Sequence, residues 1–200
     1  MEKENKKSTK KELISSGTAA KGLINGFISY GFLIGFIFLI IILIFINILN
    51  NIEGAKDINI LNYTIPAIAS IISFFLVRVV CNLSTFDLFK KCKIDKKEID
   101  KVSSKMNLFY ILFILFTLAI IIFNLSVRFK NQKIDIENTR NEYYEIYSKE
   151  FADALIVDML EEFSINRLHS IAQAIIVEFG LFLGIFSLIT TQKKLIEKYN

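Results

Sequence analysis

Few side chains in this chain stand where chemistry could be done. Arg78 and Glu178 each lie inside a long apolar run. A charge in that setting costs about 2.5–3.5 kcal/mol on insertion scales, so each is a candidate intramembrane polar site. Arg78 sits about 12 Å from the near end of its run, within partial reach of snorkelling. A direct Arg78–Glu178 pair would have to bridge a depth difference of about 10 Å, which demands tilt or water. His169 is the single histidine, beside Arg167, with no cysteine or second histidine to build a metal site with it. Cys81 falls in an apolar run and Cys92 in a lysine-rich loop, without CxxC spacing. They read as a core thiol and a surface thiol, and no disulfide is expected. Asn25, Asn47, Asn82, Asn124 and Gln173 are further polar partners near the ends of apolar runs.

The elements that must position these groups are apolar helices. Gly26–Leu49 carries no charge and no proline. At 1.5 Å per residue its 24 residues reach about 36 Å, enough to cross a hydrocarbon core of about 30 Å. Three later runs repeat the signal, giving spans at about 23–49, 63–86, 107–127 and 170–191. Thr64 is a plausible N-cap for the second, with Pro66 in its first turn. Overall the 200-residue chain is 53% hydrophobic and 22% charged, with a mean hydropathy of +0.47. Charge is gathered into blocks between the runs, the pattern of a lipid-embedded bundle. The expected fold class is an all-α integral membrane protein of four transmembrane helices.

The charge blocks set orientation. Six lysines lie in 1–22, seven in 87–106 and three in 192–200, against one in 50–62. Segment 128–169 carries six basic residues but nine acidic ones. Positive charge stays inside, so both ends are expected in the cytoplasm, with 128–169 outside. The domain plan is a basic tail (1–22), one membrane domain (23–191) and a second tail (192–200). The first part of the N-terminal tail is expected to be disordered. Asp95 and Glu98 have capping-box spacing ahead of Ile99 and Val102, predicting a short amphipathic helix there. From Asn138 to Phe163 the residues Tyr144, Tyr147, Phe151, Leu155, Met159 and Phe163 share one helical face. They predict an amphipathic extracytoplasmic helix of about seven turns that breaks near Ser164–Asn166. Tyr110, at the start of the third span, reads as an interfacial anchor.

Two Gly-x-x-x-Gly pairs suggest how the spans pack. Gly31 and Gly35 lie in span 1, and Gly180 and Gly184 in span 4. Small residues four apart let backbones approach closely, and the two pairs fall at matching depth, so a direct 1–4 contact is expected.

The chain lacks a phosphate-binding glycine loop, HExxH, GxSxG and paired carboxylates on one face. The expectation is a non-enzymatic membrane protein with no cofactor and no metal. It would act by association, as an accessory or regulatory subunit of a membrane complex. The alternatives are a small oligomeric transporter or channel using Arg78 and Glu178, and a membrane immunity protein against a membrane-active toxin. The partners are the lipid bilayer and a membrane protein or a second copy, not nucleic acid. The abundance of Ile, Lys and Asn suggests a bacterial plasma membrane.

Overall fold

The computed structural model describes residues 11–50 and 61–200. The connection at 50–62 between the first two expected spans and the disordered segment expected at the start of the tail lie mostly outside the described residues. In chain order the elements are β1 (Glu12–Leu13), α1 (Ser16–Asn50), α2 (Leu61–Lys91), β2 (Cys92–Lys93), α3 (Ile99–Ile146) and α4 (Lys149–Tyr199). A 3-10 turn at Lys96–Glu98 links β2 to α3. All four helices are long and apolar enough to cross a membrane.

Each helix outruns its apolar run. Helix α1 starts at Ser16, seven residues before the expected span boundary. The short amphipathic helix expected near 95–106 is not separate, because α3 begins at Ile99 and continues through the third span without a break. Asp95 does cap the preceding 3-10 turn, accepting from Lys97 N at 3.0 Å. Helix α2 is described from Leu61, so Thr64 lies within it rather than at its N-cap, and Pro66 lies beyond its first described turn.

The largest correction concerns segment 128–169. It holds no free-standing helix over 138–163. Helix α3 has 48 residues and α4 has 51, so they reach about 72 Å and 76 Å. Beyond their apolar parts they run on as one antiparallel hairpin, whose turn falls at Tyr147–Ser148. No break occurs at Ser164–Asn166. The residues there lack the glycine or proline that stops a helix, whereas Ser148 takes the extended backbone of an N-cap. The expected apolar face is thereby divided between two helices. Leu155, Met159 and Phe163 are half-buried on α4, beside the buried Ala152 and Ile156. At the tip, Arg140 Nε donates to Tyr144 OH at 3.0 Å, and Tyr144 OH donates to Asp153, tying α3 to α4 across the turn.

Around the bundle the helices follow the order α1–α2–α4–α3, so α1 and α4 occupy opposite corners. The expected direct 1–4 contact is therefore replaced by contacts through α2. A Cβ on Gly180 would collide with the Ser70 backbone carbonyl, and one on Gly184 would lie 3.2 Å from Phe74 O. Gly180 and Gly184 thus seat α2 against α4 at close backbone range. A Cβ on Gly31 would meet only Val80, at 3.9 Å, and one on Gly35 nothing within 4 Å. Span 1 docks instead through Gly22 and Gly26, a third pair of the same spacing. A Cβ on Gly22 would press on Leu88 at 2.9 Å, and one on Gly26 would collide with Ser84 Oγ, which donates to Leu23 O at 2.8 Å. Helix α2 is the hub, gripped by α4 near one end and by α1 near the other.

The single core cluster lies where the two ends of the described chain meet. Leu23, Phe89, Val102, Met106, Tyr110, Ile185 and Ile196 are all at most 1% exposed there. A polar clasp closes this end. β1 pairs with β2 in parallel register, Glu12 opposite Cys92. Ile14 N donates to Lys93 O at 2.9 Å. Glu98 accepts from Ser16 N at 2.8 Å, so a carboxylate from the α2–α3 connection satisfies the first turn of α1. Asn200 brackets Ile94, accepting from its N at 2.7 Å and donating to its O at 3.1 Å. Lys193 meets Asp100 at 2.7 Å, a contact that raises the lysine pKa above its ordinary value.

Candidate functional site

Arg78 and Glu178 are not brought together. Gly180 faces Ser70 and Gly184 faces Phe74, which sets the register between α2 and α4 and shows that they run parallel. The offset is 180 − 70 = 110, so Glu178 is level with residue 68. Arg78 then lies ten residues further along, about 15 Å. That exceeds the 10 Å expected from span boundaries, and neither side chain can cover it. Arg78 is exposed on the outer face of α2, with its guanidinium 5.7 Å from the centre of the Phe74 ring one turn away.

Glu178 faces α3. Thr117 Oγ1 stands 2.8 Å from Glu178 Oε1 and 2.9 Å from Ile114 O. A hydroxyl has one proton, so it serves one of these acceptors at a time. The carboxyl forms part of the wall of a groove of about 380 Å³ between α3 and α4. The other walls are apolar, among them Ile114, Leu118, Ile122, Ile175, Phe179 and Phe182. No ion pair among the described residues includes Glu178.

A second polar group lies in the core, and sequence reasoning missed it. Cys81 on α2, Tyr110 on α3 and Gln192 on α4 meet at one point. Tyr110 OH donates to Gln192 Oε1 at 3.0 Å, and Cys81 Sγ lies 3.1 Å from both oxygens. Thr85 hydroxyl closes the same turn of α2 by donating to Cys81 O at 2.8 Å. Tyr110 is fully buried, a correction to its reading as an interfacial anchor. Gln192 is fully buried too, and its Nε2 has no partner among the described residues. Flipping the amide would move the deficit to the oxygen, so one end of this side chain is unsatisfied in either assignment. A buried polar group without a partner costs about 1–3 kcal/mol. The signal that could have found this knot is a polar residue at the same end of each of three spans. It was hidden because Gln192 lies one residue outside the expected span and Cys81 alone reads as a small apolar residue.

Chemically the two places differ. At the knot a thiol, a phenol and an amide meet without a base, so nothing activates the thiol as a nucleophile. At the groove a carboxyl is the one ionisable group among apolar walls. His169 is half-buried on α4 near the base of the hairpin, and Arg167 sets its guanidinium 5.4 Å from the Phe129 ring centre. Cys92 is half-buried in β2, and both cysteines are free thiols. Among the described residues no three His, Cys, Asp or Glu cluster closely enough to hold a metal ion. No family model, no curated protein and no solved structure matches this chain.

Proposed function

We propose that this chain is a non-enzymatic multi-pass protein of a bacterial plasma membrane that works by association, as an accessory or regulatory subunit of a membrane complex. Both described ends face the cytoplasm, where 16 basic residues (six, seven and three) fall in the segments flanking the clasp. The α3–α4 hairpin projects outside. Between residues 135 and 163 it carries nine acidic side chains against Arg140 and Lys149.

The observation that carries this reading is the outer face of the hairpin. Val157, Leu160 and Leu168 recur at helical spacing on α4 and are 61%, 48% and 66% exposed. They continue the exposed row of Ile171, Ile175 and Phe179 from the span into the water-facing segment. Lipid can cover the lower part of that row but not the upper part. An apolar row that leaves the bilayer fits a partner that also leaves it. The acidic flanks favour a partner with a basic surface and oppose self-association of the hairpin tips.

A photo-crosslinking side chain at Leu160, in native membranes, tests this. A heterologous adduct from Leu160 that is lost on moving the probe to the buried Ile156 is expected. Adducts only to a second copy, or to lipid alone, would overturn the reading. The transporter alternative loses its intended pair, since Arg78 and Glu178 are separated by about 15 Å along the bundle.

A further inference from the structure

Glu178 carries a consequence beyond association. We infer that the α3–α4 groove is a binding site for a lipophilic organic monocation, with Glu178 as the counter-charge. The inference uses the reading of α3 and α4 as membrane spans but not the proposed partner.

The groove has the form of a small-molecule site, about 380 Å³ in volume and walled by apolar side chains around one ionisable group. Glu178 lies eight residues inside the expected span, about 12 Å below the interface. A carboxylate at that depth is costly without a positive partner. Among the described residues none makes an ion pair with it. Arg78 is about 15 Å away along the bundle and rests on Phe74. A second copy in the same membrane orientation would share every depth, so its Arg78 would be offset by the same amount. A metal ion does not suit the site either. One carboxylate and one hydroxyl fall well short of the six or more oxygens that hard cations take.

A weakly hydrated cation with an apolar body meets each of these demands. Its charge neutralises Glu178, and Thr117 Oγ1 donates a hydrogen bond to the carboxylate and holds it in place. Its body replaces lipid against Ile114, Leu118 and Ile175. Phe179 and Phe182 line the same groove, and aromatic rings attract a positive charge to their faces. The groove opens sideways between two helices, so such a ligand reaches it from the acyl-chain region, where lipophilic cations partition.

Tetraphenylphosphonium is the probe, measured by equilibrium dialysis against the purified full chain in a mild detergent. Saturable binding of one cation per chain above that of empty micelles is expected. Glu178→Gln should weaken it at least tenfold, and Glu178→Asp should retain part of it. Tetraphenylborate, the same shape with opposite charge, should not bind saturably. Ala174→Leu fills the groove wall while keeping the carboxyl, and it should also abolish binding. It decides the matter if the Gln variant does not fold. Absence of saturable binding to the wild-type chain overturns the inference. So does equal binding by a folded Glu178→Gln, equal binding of the borate, or full binding by Ala174→Leu.

Discussion

The two ends of this bundle are built differently. Where the described chain's ends meet, four helices, a short parallel strand pair and a polar clasp enclose a core with fully buried Leu23, Phe89, Tyr110 and Ile196. At the other end only α3 and α4 continue, with Ile136, Ala152 and Ile156 as the buried apolar residues of their pairing. Phe32, on α1, marks the transition, being 80% exposed beside a groove of about 450 Å³ that also borders Gly31 and Gly35. A two-helix ribbon cannot bury side chains on all sides, so its stability rests on the bundle that anchors it. The difference teaches that tight packing here holds the helices together at one end, while the arm leaves apolar side chains such as Val157, Leu160 and Leu168 exposed.

The sharpest way to break this comparison is to crowd one glycine at each kind of place. Gly180→Leu drives a side chain into the Ser70 carbonyl and should lower stability by about 3 kcal/mol or more, read as a large fall in thermal midpoint in detergent. Gly35→Ala, with open space around it, should instead raise stability by up to about 1 kcal/mol through helix propensity. Equal losses at both would show that Gly35 is packed as closely as Gly180.

Next in size is the buried knot. Tyr110→Phe should cost about 1–3 kcal/mol, since it strips Gln192 of a partner without relieving its burial. Adding Gln192→Leu should cost less than the sum of the two single changes, a coupling that a double-mutant cycle in chemical denaturation would reveal. Smaller still is the expected effect of the hairpin on the bundle. Replacing 135–163 with a short turn should leave the slow-exchanging amides of 19–27 and 102–110 protected in hydrogen exchange, because none of their core partners lies in the arm. Loss of that protection would make the hairpin a structural part of the bundle. Smallest is Lys193→Ala at the clasp. Both partners are solvent-exposed, so the thermal midpoint at neutral pH should not move measurably. The raised lysine pKa means that this contact is present below the ordinary lysine range and fades only as pH rises beyond it.

The four long apolar helices were legible from composition alone, because a run such as Gly26–Leu49 has no other stable setting. Their true ends were not. Charged residues such as Arg128, Lys130 and Glu137 end an apolar run, but they are good helix formers and do not end a helix. The same reasoning hid the Gly22–Gly26 pair, since Gly22 fell in the expected tail 1–22 while the helix had already begun at Ser16. Partner choice among helices was also out of reach. Three glycine pairs share one spacing, and only the side chains opposite them decide which are filled. Ser70 and Phe74 on α2 stand opposite Gly180 and Gly184, so α2 rather than α1 receives α4, while Ser84 on α2 stands opposite Gly26 of α1. Of the candidate residues, Glu178 kept an interior setting and Arg78 did not, a distinction set by helix rotation that hydropathy does not carry.

The clasp also bears on how the molecule is made. Lys11 Nζ donates to Tyr199 O at 3.1 Å, and Asn200 brackets Ile94. These contacts join residues up to 188 positions apart. A ribosome releases residue 11 into the cell long before residue 199 exists, so the first strand must wait, paired at most with β2, while three further helices are synthesised and inserted. The contacts that Lys11 and Ile94 make with Tyr199 and Asn200 therefore form only after α4 has been made.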